Sequence, residues 1–237
     1  MWRQIADGIA GDIRGGRLAA GQKLPTEAEL AERWSVNRHT VRRALAALAA
    51  DGLVRTAHGS GSFVEGRPLS YPISLRTNFS DIVRRAGHTP GGEMLASAIV
   101  GADPGIATML GIAPDAPVTE VALRRFVDGV PVSHGRTWLP LPRFDGFAAA
   151  FAAQLSVTAA LRACGVADYR RASTRVSARP AGAQDAERLD IAPGRIVLAV
   201  RSLNLDEAGV PVQAAEVAFA ADRVELVLEP ETAGDAG

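Results

Sequence analysis

LPTEAELAERWSVNRHTVRRALAALAADGLVRTAHGSGSFV, residues 24–64, decides the fold of the first part of the chain. Thr26 is followed three residues on by Glu29. That is a capping box, in which the hydroxyl serves the third amide and the carboxylate reaches back to the first. Leu30, Ala31 and Trp34 then give the predicted helix an apolar face. After Ser35-Val36, Asn37 is a good N-cap for a further helix, whose stripe is Val41, Ala44, Leu45 and Leu48. Asp51-Gly52 stops it, since glycine accepts the left-handed conformation at a helix end. Residues 53–57 and 62–64 are short strand candidates joined by His58-Gly59-Ser60-Gly61. Upstream, Trp2, Ile5, Ala6, Ile9 and Ile13 recur at helical spacing until Gly15-Gly16. Helix, helix, short turn, helix and hairpin make a winged helix-turn-helix over residues 1–65.

The chemistry of this region sits at the start of the third helix. Asn37, Arg38, His39, Thr40, Arg42 and Arg43 occupy its first turns, away from the apolar stripe. A helix N-terminus offers free amides to phosphate, and its early side chains can reach base edges in a major groove. Arginine there can bind guanine bidentately, while hydroxyl and amide groups serve phosphate or adenine. Thr26 lies at the neighbouring helix start. Gly59, Ser60 and Gly61 form a wing tip that backbone can bring close to a duplex, with His58 beside it. The bland alternative is an ordinary solvated helix face and a polar hairpin.

Composition agrees without deciding. The chain has 237 residues, 47% of them hydrophobic, with 26 basic and 26 acidic side chains. That apolar content excludes a disordered chain, and the length suits two modest domains. Net charge is zero, yet within residues 36–61 Arg38, Arg42, Arg43 and Arg55 face only Asp51. Local charge, not net charge, sets the field at a contact. No apolar run approaches the roughly 20 residues that span a bilayer. The N-terminus carries Asp7, Asp12 and Arg14 where a signal peptide needs an unbroken apolar stretch. Cys164 is the single cysteine, so neither an internal disulfide nor a paired-cysteine metal site is available. The expectation is a cytoplasmic protein without cofactor or metal.

Residues 66–72 have the proline and glycine punctuation of a linker. Beyond it, 73–230 mixes strands and helices with no βαβ alternation, and 231–237 is a tail. Residues 94–100, 118–127, 130–139, 171–178, 196–205 and 210–220 read as strands, and Asp128-Gly129 is a strong hairpin turn. Helices are expected just after Asp103-Pro104, over 144–153, and over 157–163 behind Ser156. The fold class is therefore α+β, a winged helix-turn-helix followed by an antiparallel sheet domain. Arg76, Thr77, Asn78, Phe79 and Ser80 precede another short helix, where amides, hydroxyls and a guanidinium could meet an anion. In strand 118–127, Ala122, Arg124 and Phe126 share one face, and Val121 and Leu123 the other. Small, cationic and aromatic side chains together suit a cavity for a charged small molecule.

Residues 24–64, extending back to Trp2, resemble the DNA-binding domain of the GntR family of bacterial transcription regulators almost position for position. The resemblance implies that Arg38, Thr40 and Arg42 contact phosphate and base, and that His58-Gly59 enters the minor groove. Some branches carry an arginine contact where this chain has Ala28. ISLRTNFSDIVRRAG (73–87), the Asp128-Gly129 hairpin and VPVQAAEVAFAADRVEL (210–226) are similar to the UTRA effector domain of the HutC branch. That domain resembles chorismate lyase in fold, binds small ligands and dimerises. RTNFSD and FAADRVEL are similar to PhnF-type regulators of phosphonate metabolism. The resemblance implies an anion-binding arginine at Arg124, with Ala122 where sugar-phosphate sensors carry a second one. It also implies pocket roles for Ser156, Thr158, Gln213 and Phe219, joined by His134 or Arg136 from the partner strand. Arg124 facing solvent, Thr77 as a mere cap and His134 as a structural histidine are the plain alternatives.

The expected function is a homodimeric repressor on double-stranded operator DNA. A small anionic effector, whether a phosphonate, phosphate or phosphorylated metabolite, would release it. A regulator answering a sugar phosphate is the near alternative. An enzyme on the lyase-like fold is the remote one, since the four histidines are scattered and no nucleophile and base pair up.

Overall fold

In a computed structural model the chain forms two compact units, Met1–Pro68 and Leu69–Gly237. The structure describes residues 1–15, 17–18, 21–57, 61–65, 68–74 and 78–228. The first unit contains α1 (Trp2–Arg14), α2 (Glu27–Arg33) and α3 (Arg38–Ala50), followed by β1 (Val54–Ala57) paired antiparallel with β2 (Gly61–Val64). The capping box forms: Thr26 Oγ1 accepts from the Glu29 amide at 3.3 Å, and the Glu29 carboxylate accepts from the Thr26 amide at 2.7 Å. Asn37 Oδ1 accepts from the Thr40 amide at 2.9 Å and so starts α3. Ile5 and Ile9 of α1, Leu30 of α2, and Val41, Leu45 and Leu48 of α3 close one core with Val54 and Val64 of the hairpin. Gly52 takes φ +70° directly after α3, as its place behind the helix requires.

The second unit is built on a six-stranded antiparallel sheet of β4 (Pro90–Gly101), β5 (Pro117–Val127), β6 (Val130–Pro140), β7 (Tyr169–Pro180), β8 (Ile196–Asp206) and β9 (Pro211–Ala220). Their order across the sheet is β4-β5-β6-β9-β8-β7. Asp128 and Gly129 both adopt positive φ, 50° and 78°, in the two-residue turn joining β5 to β6. One sheet face is covered by α6 (Phe147–Gln154) and α7 (Val157–Ala163), whose Phe147, Phe151 and Leu161 pack on Val121, Leu123 and Leu139. Full burial of each such side chain contributes about 1.5–3 kcal/mol. The opposite face carries α5 (Pro104–Leu110) at one end, over Val118, Trp138 and Ala214. At its other end sits α8 (Ala183–Leu189), whose Leu189 packs with Val197 and Ala218.

Three features depart from the expectation. The stretch read as a linker over 66–72 ends in a strand, β3 (Leu69–Pro72), which pairs in parallel with the terminal β10 (Val224–Val227). Helix α8 lies in a segment with no helix expected. Its N-cap is Gly182, so no capping side chain announces it. The helix expected over 144–153 begins only at Phe147, while α4 (Phe79–Arg85) starts behind Asn78.

Candidate functional site

At the start of α3 the side chains of Arg38 and His39 are exposed beside the exposed cap Asn37. Thr40 is half-buried and turns its hydroxyl back to Asn37 Oδ1 at 3.0 Å. Arg42 is exposed but not free: its Nε and Nη2 donate to the two Glu27 oxygens at 3.1 and 2.8 Å. This bidentate pair ties α3 to the first turn of α2. The Glu27 carboxyl is held below its usual range by that hydrogen bond first, with the charges of Arg42, Arg38 and His39 adding to it. Arg43 lies over the Trp2 ring at 4.8 Å. Thr26 is engaged in its capping box, and Gly61 opens β2 with φ +102°. His58, Gly59 and Ser60 lie outside the described residues. The helix start thus presents Asn37, Arg38 and His39 outward, while Arg42 and Arg43 are fixed by neighbours. The Glu27 pairing, across 15 residues, leaves no local signal in the sequence.

A cavity of about 120 Å³ opens on the sheet face that α6 and α7 cover. Asn78, Phe79, Ser80, Ser156 and Thr158 line it from one side, and Gln213 and Phe219 from β9. These seven expected pocket residues come together. Arg76 and Thr77 lie outside the described residues. Two further side chains give the cavity its charge, and neither was singled out. Arg125, only 7% exposed, donates from Nη1 to the Leu155 carbonyl and lies between the rings of Phe79 and Phe151, at 5.3 and 5.5 Å. Arg171 donates from Nε to Asn204 Oδ1 at 2.9 Å. Among the described residues neither guanidinium forms an ion pair with a carboxylate. Burial pushes both guanidinium pKa values down, so each cation is held at a desolvation cost.

Polar groups complete the lining. Asn204 Nδ2 donates to Gln213 Oε1 at 2.7 Å, and Gln213 Nε2 to Thr137 Oγ1 at 2.6 Å. The Thr158 and Tyr169 hydroxyls are 2.8 Å apart. Tyr71 of β3 stands 5.3 Å from Phe219, ring to ring, and burial pushes its hydroxyl up to about 12. The two guanidinium charges counter that shift in part.

Arg124 and His134 do not reach this cavity. Arg124 lies across the sheet, where it donates to Glu93 at 2.6 Å and to the Arg188 carbonyl at 3.3 Å, over the Phe126 ring. His134 is buried on that same face, with Nε2 2.9 Å from Asp185. The reason is strand alternation: a one-residue shift along a strand moves a side chain to the other face. The face read as apolar, with Val121 and Leu123, is the one that continues to Arg125. A cation following two aliphatic positions on one face was the available signal. Arg136 borders both recesses of the sheet.

Among the described residues no group of His, Cys, Asp or Glu is arranged to hold a metal, and no helix is long and apolar enough to cross a membrane. Residues 2–64 match the family of bacterial regulatory proteins named for gntR, and residues 85–225 match the UTRA domain. The HTH-type transcriptional regulator RB1450 of Rhizobium meliloti (strain 1021) is 44% identical over 230 residues, 97% of this chain and 94% of its own. The Escherichia coli (strain K12) protein named "Probable transcriptional regulator PhnF" is 33% identical, over 96% of this chain and 94% of its own. In fold, the crystal structure of PhnF from Mycobacterium smegmatis superposes with a TM-score of 0.65 at 23% identity, covering 96% of this chain and 99% of that one. The chain therefore belongs to the GntR family, as a transcriptional regulator with a UTRA effector-binding domain, similar to PhnF and not an enzyme.

Proposed function

We propose that this regulator is a cytoplasmic, homodimeric repressor that leaves its operator when a small phosphonate or phosphate binds the cavity between Arg125 and Arg171. In this reading residues 1–65 bind DNA and residues 73–230 bind effector and dimerise. Asn37, Arg38 and His39 meet base edges, while Thr40, Arg42 and Arg43 meet phosphate with the wing. The observation that carries the effector class is the pair of desolvated arginines with no carboxylate partner among the described residues. Such charge is tolerated where an anion completes it.

Size separates the ligand classes. The cavity, about 120 Å³, is somewhat smaller than the roughly 150 Å³ cavity that takes a benzene ring. Its ligand accordingly has on the order of six heavy atoms, which favours a simple alkylphosphonate or phosphate over a hexose phosphate. Release requires the effector to prefer one state of the protein, since equal affinity for both shifts nothing.

The test is fluorescence anisotropy of the protein on its own upstream DNA at fixed salt, with scrambled DNA as competitor. Methylphosphonate is expected to weaken specific binding at least tenfold, and glucose 6-phosphate to have no effect. Arg125→Met should keep operator affinity and lose the response. Release by the sugar phosphate alone, or an undiminished response in Arg125→Met, would overturn the assignment.

A further inference from the structure

The sheet face opposite the effector cavity carries a second recess, of about 470 Å³, between the sheet and α8. That lies in the range of about 300–1,000 Å³ that small-molecule sites occupy. Its walls carry Arg136, Arg175, Arg179, Arg188 and Arg201 against two carboxylates, Asp185 and Glu216. Strand register shows how this charge is arranged. One row across the sheet runs Arg136, Glu216, Arg201, Arg175, from β6 through β9 and β8 to the edge strand β7. Glu216 is taken by Arg201, whose Nε donates to it at 2.6 Å. Arg175, directly opposite Arg201, therefore faces a like charge, an arrangement that ordinarily destabilises a sheet.

The neighbouring row is His134, Ala218, Ala199, Ser177. Its small residues form a floor between that arginine row and the α8 wall. On that wall Arg179 holds Asp185, while Arg188 forms no ion pair among the described residues. Arg136 is paired with Glu120 of β5 at 3.8 Å, so among the described residues Arg175 and Arg188 are the two cations of the recess without a carboxylate partner. The recess is lined by no phenyl or indole ring among the described residues, so nothing is placed to stack a base.

We propose that this recess is a second ligand site, for a small polyanion carrying at least two negative charges on phosphate or carboxylate groups. Arg175 and Arg188 clamp it from opposite walls, and Arg201 and Arg136 complete the row. A second copy of the chain is a poor occupant, because a two-fold contact through this face would bring like charges together. The site opens on the other face of the sheet from the effector cavity, and Gly135 and Arg136 border both.

The experiment is calorimetric titration of the full-length protein with inorganic tripolyphosphate at two salt concentrations. It uses wild type, Arg125→Met, Arg175→Gln, and Arg175→Gln with Arg188→Gln. Saturable binding is expected in wild type and Arg125→Met, weakened severalfold in the single variant and at least tenfold in the double variant. Higher salt should weaken it as well. Loss in Arg125→Met with retention in the double variant would move the anion to the first cavity and overturn the proposal. So would absence of saturable binding in wild type. A double variant with altered operator affinity in ligand-free buffer would assign these arginines to DNA. One with altered sedimentation would assign them to contact between copies, and either result overturns the proposal.

Discussion

Asp185 is fixed from three directions: by the Arg179 guanidinium, by the Gly182 amide at 2.9 Å and by His134 at 2.9 Å. The Arg179 hydrogen bond is the largest influence, and together these hold the carboxyl far below its ordinary range despite its burial. A depressed carboxylate stabilises the fold fully above its unfolded value of about 3.9. That contribution is lost as pH falls from there through the folded value. The His134 pKa is lowered as well, by burial first, and the carboxylate beside it only partly restores it. Asp185→Asn should cost about 3 kcal/mol at neutral pH, because it removes the charge that Arg179 pairs with and turns one of the two acceptor oxygens into a donor facing donors. Urea unfolding at pH 7 and pH 3 should show that difference narrowing in acid. A gap of constant size would mean that packing, not charge, carries the effect.

At the scale of elements, the β6–β9 contact depends on the absence of a side chain. A Cβ at Gly135 would stand 2.2 Å from the Glu216 carbonyl oxygen and 2.8 Å from Val217 Cα, both backbone atoms that cannot step aside. Gly135→Ala should push the two central strands apart at a cost of about 3 kcal/mol. It should also disturb both recesses, which Gly135 borders. Thermal unfolding followed by circular dichroism checks the first, and a melting point within a degree of wild type would refute it. Much of this architecture was legible in the sequence. Asp128-Gly129 announced the β5–β6 turn, and Thr26, Asn37 and Ser156 each announced a helix by a side chain that caps it. Helix α8 was not legible, because glycine caps it without a side chain. The four-residue strands β3 and β10 have too little length to show a period, and their partners lie some 150 residues apart in sequence. The cavity arginine was misread by one position, since alternation gives two faces and does not say which of them is hollow.

At the scale of the whole molecule, the second unit closes on itself. Its first strand, β3, and its last, β10, pair along Leu69–Pro72 and Val224–Val227. Tyr71 from one and Leu226 from the other stand in the cavity wall. Tyr71 lies three residues beyond the junction at Pro68, so an effector in the cavity would touch chain directly continuous with the first unit. A chain ending at Arg223 should therefore retain operator binding in ligand-free buffer and lose release by methylphosphonate. The anisotropy titration reads both, and a full response from the shortened chain would show that β10 is dispensable. The same closure has a practical use. Leu226 faces the cavity, and Leu228, two residues on, is 69% exposed. A single cysteine at 228, with Cys164 replaced by serine, would seat an environment-sensitive dye beside the ligand yet in solvent, turning the regulator into an optical sensor of its own effector.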